Sequence, residues 1–462
     1  MVSFIHQDDE TTSQFIRGNF MRPNIIVGTD PVRAMAAAVI ASCTALAPVH
    51  AEPNYPLPNA CSNLSASAID ALEYQIMSTA FLGYAPSSEN PGHVPNTSRK
   101  VNLVADQYRN KGLEKVIVAF GDSHGIDEHV VPQVSPGVQA IFSSADLVLG
   151  NLESPLVATR KPKADGSASQ LGNFHMTREY LEGFSTALGI APGKAVFSVA
   201  NNHANDKYLW KETLQSVAHF RGLGKFEFVG IDSSLPNEPA VTIVKLGPSL
   251  KVGVLGWTHV MNNPLTLNAT PWLTDERVFQ KYNFSTLRFE GRDFNAMKRN
   301  LGVDLMIGMP HWDCQLFSYP HEETIAQAQA LMGHGMDLIL GAHQSTPQPV
   351  ATISPNESRD RTALTLYGMG QLYQTPSDKA PGLSLAYQIH VDAAGKLVEF
   401  DVLPMLRFKV NGVSQLRTME EAKSYVLNPS SESSTLTAEE RVVFARKYEQ
   451  IVALFDLLYK AP

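Results

Sequence analysis

The sequence predicts an α/β protein, in which buried strands are covered by helices. Three observations lead there. Short apolar runs recur from about Glu114 to Leu406, and stretches of helical character lie between them. The runs are apolar throughout rather than alternating, as strands buried on both faces require. Each run also ends in residues that carry chemistry: Asp, Glu, Asn or His.

Residues 1–51 read as a leader and signal peptide. Ala34 to Pro48 is a run of small apolar residues with Arg22 and Arg33 upstream, and Val49-His50-Ala51 gives a small-x-small cleavage site before Glu52. At fifteen residues the run is too short to span a bilayer comfortably, so no stable transmembrane anchor is expected. The expected location is therefore periplasmic or extracellular. A lipid-attachment reading at Ile40-Ala41-Ser42-Cys43 is disfavoured because the apolar run continues past Cys43. Residues 52–113, rich in Pro, Asn and Ser, read as an N-terminal extension or cap with one helix around Ser67 to Ala80.

Residues 114–406 form the expected main domain. Its strands fall at Val116–Phe120, Leu147–Leu149, Ala195–Ala200, Val252–Leu255, Asp304–Ile307 and Asp337–Leu340. Helices are expected at Tyr208–Phe220, Asp293–Leu301 and His321–Met332. Toward the C-terminus the strands crowd together, around Leu364–Tyr367, Ser384–Val391 and Leu397–Val402. Residues 407–462 read as a helical extension, with two helices between Thr418 and Tyr459 split by Pro429-Ser430-Ser431.

Composition removes several function classes. A net charge of -8 with no basic run argues against a nucleic-acid partner. Beyond the leader only Cys61 and Cys314 remain, which is neither a disulfide framework nor a Cys-x-x-Cys metal spacing. No Gly-x-Ser-x-Gly elbow, Walker-type loop or Gly-x-Gly-x-x-Gly fingerprint is present.

The run ends are the informative positions. They read Gly121-Asp122-Ser123-His124, Gly150-Asn151-Leu152-Glu153, Asn201-Asn202-His203-Ala204-Asn205-Asp206, Trp257-Thr258-His259, Pro310-His311-Trp312-Asp313 and Gly341-Ala342-His343-Gln344-Ser345. Singly, each has a plain structural reading. Asp122 serves equally as a helix N-cap, Asn201 and Asn202 as turn formers, and a lone His as a satisfied structural residue. Together, six such ends would aim Asp, Glu, Asn and His at the carboxyl edge of a sheet, where ligands bind. Those residue types are the ones a borderline divalent metal takes from a protein, and a metal pair bridged by one carboxylate activates water.

At these residues the sequence resembles the poly-γ-glutamate capsule synthesis (CapA) family, whose fold belongs with the calcineurin-like metallophosphoesterases. Ala200 to Asp206 is similar to the family's Ala-Asn-Asn-His-x-x-Asp, and Asp146 to Glu153 to its Asp-Leu-x-x-x-Asn-Leu-Glu. His311-Trp312, then Gly335-Met336-Asp337 with Gly341-x-His343 and Gln348-Pro349-Val350, continue the match. The resemblance implies a four-layer αββα sandwich and a centre of two divalent ions, manganese, iron or zinc. It implies Asp122 and His124 as ligands of one ion, Glu153 as the bridge, and Asn202, His311 and His343 as ligands of the other. It further implies His203 as general acid, oriented by Asp206, and water activated by the metals as nucleophile.

The chain departs from the family at His343-Gln344-Ser345, where His-Pro-His is usual, and at Asp313-Cys314-Gln315 and Gln371. Ser345 takes one imidazole from the first metal position. The expected activity is hydrolysis of a phosphoester or of an amide in a cell-envelope polymer such as poly-γ-glutamate. The alternative is a non-catalytic member binding an anionic polymer or capsule-assembly proteins. His259, Asp127, Glu128, His129, His175, His321, His334 and Cys314 receive no role in the chemistry.

Overall fold

The computed structural model of the chain describes residues 95–96, 100–102, 114–124, 130–159, 175–204, 206, 210–231, 241–259, 293–313, 315, 320–353, 362–373, 382–428 and 436–458. The leader and the helix expected at Ser67–Ala80 lie outside the described residues.

The chain first lays down β1 (Lys115–Ser123), β2 (Leu147–Leu152), β3 (Ala195–Ser198) and β4 (Glu227–Val229), parallel and adjacent in that order. A hairpin of β5 (Thr242–Leu246) and β6 (Leu250–Thr258) opens a second sheet. That sheet continues in parallel through β7 (Leu305–His311), β8 (Leu338–Leu340) and, after the antiparallel β9 (Val350–Ile353), β10 (Ala363–Leu366). The chain then returns to the first sheet. There β11 (Gln371–Tyr373) pairs with the end of β1, and β12 (Gly382–Val391), β13 (Leu397–Val410) and β14 (Val413–Thr418) form an antiparallel meander, both on the edge of β1 away from β2. The result is one ten-stranded and one seven-stranded sheet. Two short segments from the N-terminal extension take part: Pro95–Asn96 pairs with β9, and Lys100–Asn102 with β13.

Side-chain alternation along the strands explains the layering. Ile117 and Ala119 of β1, with Leu147 and Leu149 of β2, face Val252, Val254, Leu305, Ile307 and Leu338 of the other sheet. Val118, Phe120 and Val148 point the opposite way, onto helices α1 (Pro136–Ser143), α2 (Arg178–Ala187) and α3 (Trp210–Gly222). On the outer face of the second sheet, Leu255, Trp257, Met306 and Ile339 pack on α4 (Phe294–Leu301) and α5 (Glu322–Gly333). This is the four-layer αββα sandwich. Both faces of each central strand are dry, so apolar runs without alternation were needed. Truncating the fully buried Phe120 to Ala would cost about 3–5 kcal/mol, because close-packed neighbours cannot refill the space.

The three expected helices are found as α3, α4 and α5, with boundaries shifted by one or two residues. Two shifts have the same cause, since the first expected residue is the N-cap. Asp293 accepts from the Ala296 N–H at 3.0 Å, and His321 precedes α5 in an extended conformation. The strand expected at Leu397–Val402 runs on to Val410, where Leu406, Phe408 and Val410 receive α6 (Met419–Leu427) and α7 (Ala438–Leu458). Among the described residues, no helix is long and apolar enough to cross a membrane.

Candidate metal centre

The six run ends do not share one sheet edge. Three come from the ten-stranded sheet (β1, β2, β3) and three from the seven-stranded one (β6, β7, β8), and they meet on the seam where the carboxyl ends of both sheets lie together. A β-bulge at Gly121 shifts the β1–β2 register between Phe120 and Asp122. Bulges of this kind re-aim side chains beside functional sites. Only glycine fits there, because a Cβ on Gly121 would lie 1.9 Å from the carbonyl oxygen of Gly370. Beyond the bulge, the Asp122 N–H donates to Gly370 O at 2.8 Å and the His124 N–H to Tyr373 O at 3.0 Å. The Glu153 N–H donates to Ser123 O at 2.9 Å, fixing the end of β2 against β1.

All eight expected site residues are buried, and the geometry sorts them into three groups. Glu153, His311 and His343 offer ligand atoms that all lie within 4.8 Å of one another. Asn202 joins them, its Oδ1 2.9 Å from His311 Nε2, while Glu153 Oε1 is 3.5 Å from that nitrogen. On the near side of Glu153 lies His124, its Nε2 3.1 Å from Glu153 Oε2. Asp122 holds its neighbours: it accepts from Asn151 Nδ2 at 2.7 Å and from the His343 main-chain N–H at 3.1 and 3.3 Å. His203 forms the third group with Asp206, Nδ1 to Oδ2 at 2.6 Å. Asn201 positions that loop, accepting from the His203 N–H at 3.0 Å and donating to Leu152 O at 2.7 Å.

The donor set fits a divalent cation. Metal–ligand bonds of ~2.0–2.2 Å place adjacent ligand atoms roughly 3–3.5 Å apart, the spacing seen around His311 Nε2. Both carboxylate oxygens of Glu153 and both ring nitrogens of His343 are buried, yet none makes a hydrogen bond among the described residues. Buried polar atoms are nearly always satisfied, so orphans that converge on one point mark a place for an ion. Imidazole and carboxylate together suit zinc, manganese or iron.

Burial drives these groups toward their neutral forms. It pulls His343 down to about 3 and His124 to about 4, and lowers His311 well below the ordinary imidazole value. It also raises Glu153 to about 7. Asp122 is raised well above the carboxylate range, by burial first and then by the Glu153 charge beside it. A bound cation reverses this logic by favouring the carboxylates and ligating neutral imidazoles.

The backbone is held in unusual conformations here. Asp313, His343 and Ser345 have φ of 71°, 103° and 60°, three of the four non-glycine residues with positive φ among the described residues. Such positions cost about 1–3 kcal/mol each and cluster where function needs them.

The family described as bacterial capsule synthesis protein PGA_cap matches residues 103–375. The chain belongs to this family. The PGA_cap match spans every residue of the centre, from Asp122 to His343. Among solved structures the chain is similar to the protein TT1561 of Thermus thermophilus, at 12% identity over 62% of this chain and 98% of that one, with a TM-score of 0.27. Comparison with curated proteins gave no match.

Asn151 is a site residue to which the sequence reading gives no role. Its Nδ2 lies 2.7 Å from Asp122 Oδ1 and 3.2 Å from His311 Nδ1, so one amide ties the two sheets together. The Asn-Leu-Glu of its motif is the available signal. His259 keeps no place among the ligands. The Trp257 indole N–H donates to its Nε2 at 3.2 Å, and burial lowers it to about 4. Asp127, Glu128, His129 and Cys314 lie outside the described residues.

Proposed function

We propose that this capsule-synthesis family member is an exported metal-dependent hydrolase acting on a phosphoester or on an amide of a cell-envelope or capsule polymer. One observation carries the reading: Glu153, His311 and His343, with Asn202, converge on a point where the Glu153 carboxylate oxygens and the His343 ring nitrogens are buried and make no hydrogen bond among the described residues. Those four residues would hold one divalent ion. Asp122 and His124 would hold a second, with Glu153 shared. Bound ions of this kind supply Lewis acidity and lower the pKa of nearby water.

The chain's own residues supply the rest. Asp206 fixes His203 by its Nδ1, so the ring's Nε2 is the atom that would move a proton to the leaving group. Asn201 holds the main chain that carries that ring. With a net charge of -8, the chain needs the cations of this site to attract an anionic polymer.

The test pairs metal analysis of the purified chain with turnover. Wild type and His343→Ala are assayed on a chromogenic phosphodiester and on γ-linked glutamate peptides. Metal-dependent turnover that the substitution abolishes supports the hydrolase. The departures at Ser345, Gln315 and Gln371 favour a second reading, a binding protein for the same polymer or for capsule-assembly proteins; retained metal without turnover of either substrate would select it.

A further inference from the structure

We infer that the centre is unequal: Glu153, Asn202, His311 and His343 hold one ion tightly, whereas the Asp122–His124 position binds a second only weakly. This deepens the metal-dependent reading and rests on it. Glu153, His311 and His343 form the one group of three His, Cys, Asp or Glu ligand atoms within 4.8 Å of each other among the described residues. Asp122, His124 and Glu153 do not close to that degree, although His124 and Glu153 approach to 3.1 Å.

Hydrogen bonding adds a contrast between Asp122 on one side and Glu153 and His343 on the other. The oxygens of Glu153 and the ring nitrogens of His343 are buried and make no hydrogen bond among the described residues. Asp122 has other work. Its Oδ1 accepts from Asn151 Nδ2, and both of its oxygens accept from the His343 N–H. Those bonds fix the orientation of the carboxylate and leave it fewer lone pairs for a second ion than Glu153 offers the first.

Asp122 is thereby a positioning residue for the tight ion. It anchors the main chain of His343 at a φ of 103°, a value that L-residues rarely adopt, and so keeps that imidazole aimed at Glu153 and His311. Its partner Asn151 reaches His311 Nδ1, so a single carboxylate steadies two of the four ligands from behind. Groups that orient ligands in this way typically change metal affinity by ~10–100-fold when altered.

The experiment loads the full purified chain with zinc, and separately with manganese, then exchanges it into metal-free buffer and counts metal per chain by mass spectrometry. Titration against a competing chelator gives the affinity, and circular dichroism checks each variant's fold. One ion per chain is expected in wild type and in His124→Ala, and none in His343→Ala or the milder Asn202→Ala. Asp122→Asn, which keeps one acceptor oxygen, should retain the ion with affinity reduced by roughly 10–100-fold, and Asp122→Ala should fall further. Two ions retained by wild type, or loss of all metal in His124→Ala, would overturn the inference while leaving the metal-dependent reading standing. No metal in wild type, even at excess zinc or manganese, would remove that reading and the inference with it.

Discussion

The main-chain N–H of His343, on the loop after β8, donates to both carboxylate oxygens of Asp122, on the bulge at the end of β1, at 3.1 and 3.3 Å. The two residues belong to different sheets, so this contact is one of the rivets that hold the seam where the centre forms.

Removing the acceptor leaves a buried donor without a partner. Asp122→Ala should therefore destabilise the metal-free chain by about 1–3 kcal/mol. Urea unfolding of wild type and variant in the presence of chelator gives the value. A change within a few tenths of a kcal/mol would show that the contact does not matter to the fold.

Asp206 acts on rate rather than on metal. Asp206→Asn keeps the size of the side chain but weakens its hold on His203 Nδ1, so kcat should drop by roughly 10²–10⁴-fold if His203 is the proton donor. Metal content should stay at the wild-type level, since neither residue belongs to the group around His311. Equal loss of metal and rate would instead place the dyad among the supports of the ion.

Stability of the metal-free chain should depend on pH in two opposing ways. Burial holds His343 at about 3, His124 and His259 at about 4, and His311 also low, against an ordinary 6.5. As pH falls below 6.5 the unfolded imidazoles take up protons that the folded ones refuse, so the fold weakens toward acid. Glu153 runs the other way. Its folded value of about 7 exceeds the ordinary 4.5, so its contribution is present below 4.5 and lost as pH rises through 7. Asp122 behaves in the same sense. Four imidazoles outnumber two carboxyls, and the urea midpoint should peak near the imidazole value and fall on both sides. A midpoint that climbs steadily from about pH 7 down to about pH 5 would contradict this balance.

One carboxylate ties the start of α6 to the start of α1. Glu421 completes a capping box with Thr418 and also accepts from the Ser135 hydroxyl and, at 2.8 Å, from the Gly137 N–H. Partial burial opposes its ionisation, but these hydrogen bonds prevail and keep the carboxyl below its ordinary value. Thr418→Ala should cost about 1 kcal/mol by removing the cap. Gly137→Ala should cost more, because its Cβ would lie 2.7 Å from Glu421 Oε2 and 2.9 Å from Thr418 Cγ2. Chemical denaturation of the two variants orders them, and an equal or reversed order would refute the packing argument.

The sequence by itself determined most of the buried strands, three of the five covering helices and the residues that carry chemistry. Short, β-branched apolar runs such as Val116–Phe120 suit strands dry on both faces, and polar residues at the end of such a run then fall at a sheet edge. The motif text around Asn202, His203 and Glu153 went further and pointed to the family's centre. Tertiary structure alone decided how those ends divide, three to each sheet, because run lengths say nothing about which strands pair. It also gave Asn151 and Asp122 their roles as struts. Hydrogen bonds from Asn151 to Asp122 and from His343 to Asp122 join residues 29 and 221 positions apart. Such contacts follow from the packing of two sheets, and no local pattern in the chain encodes them.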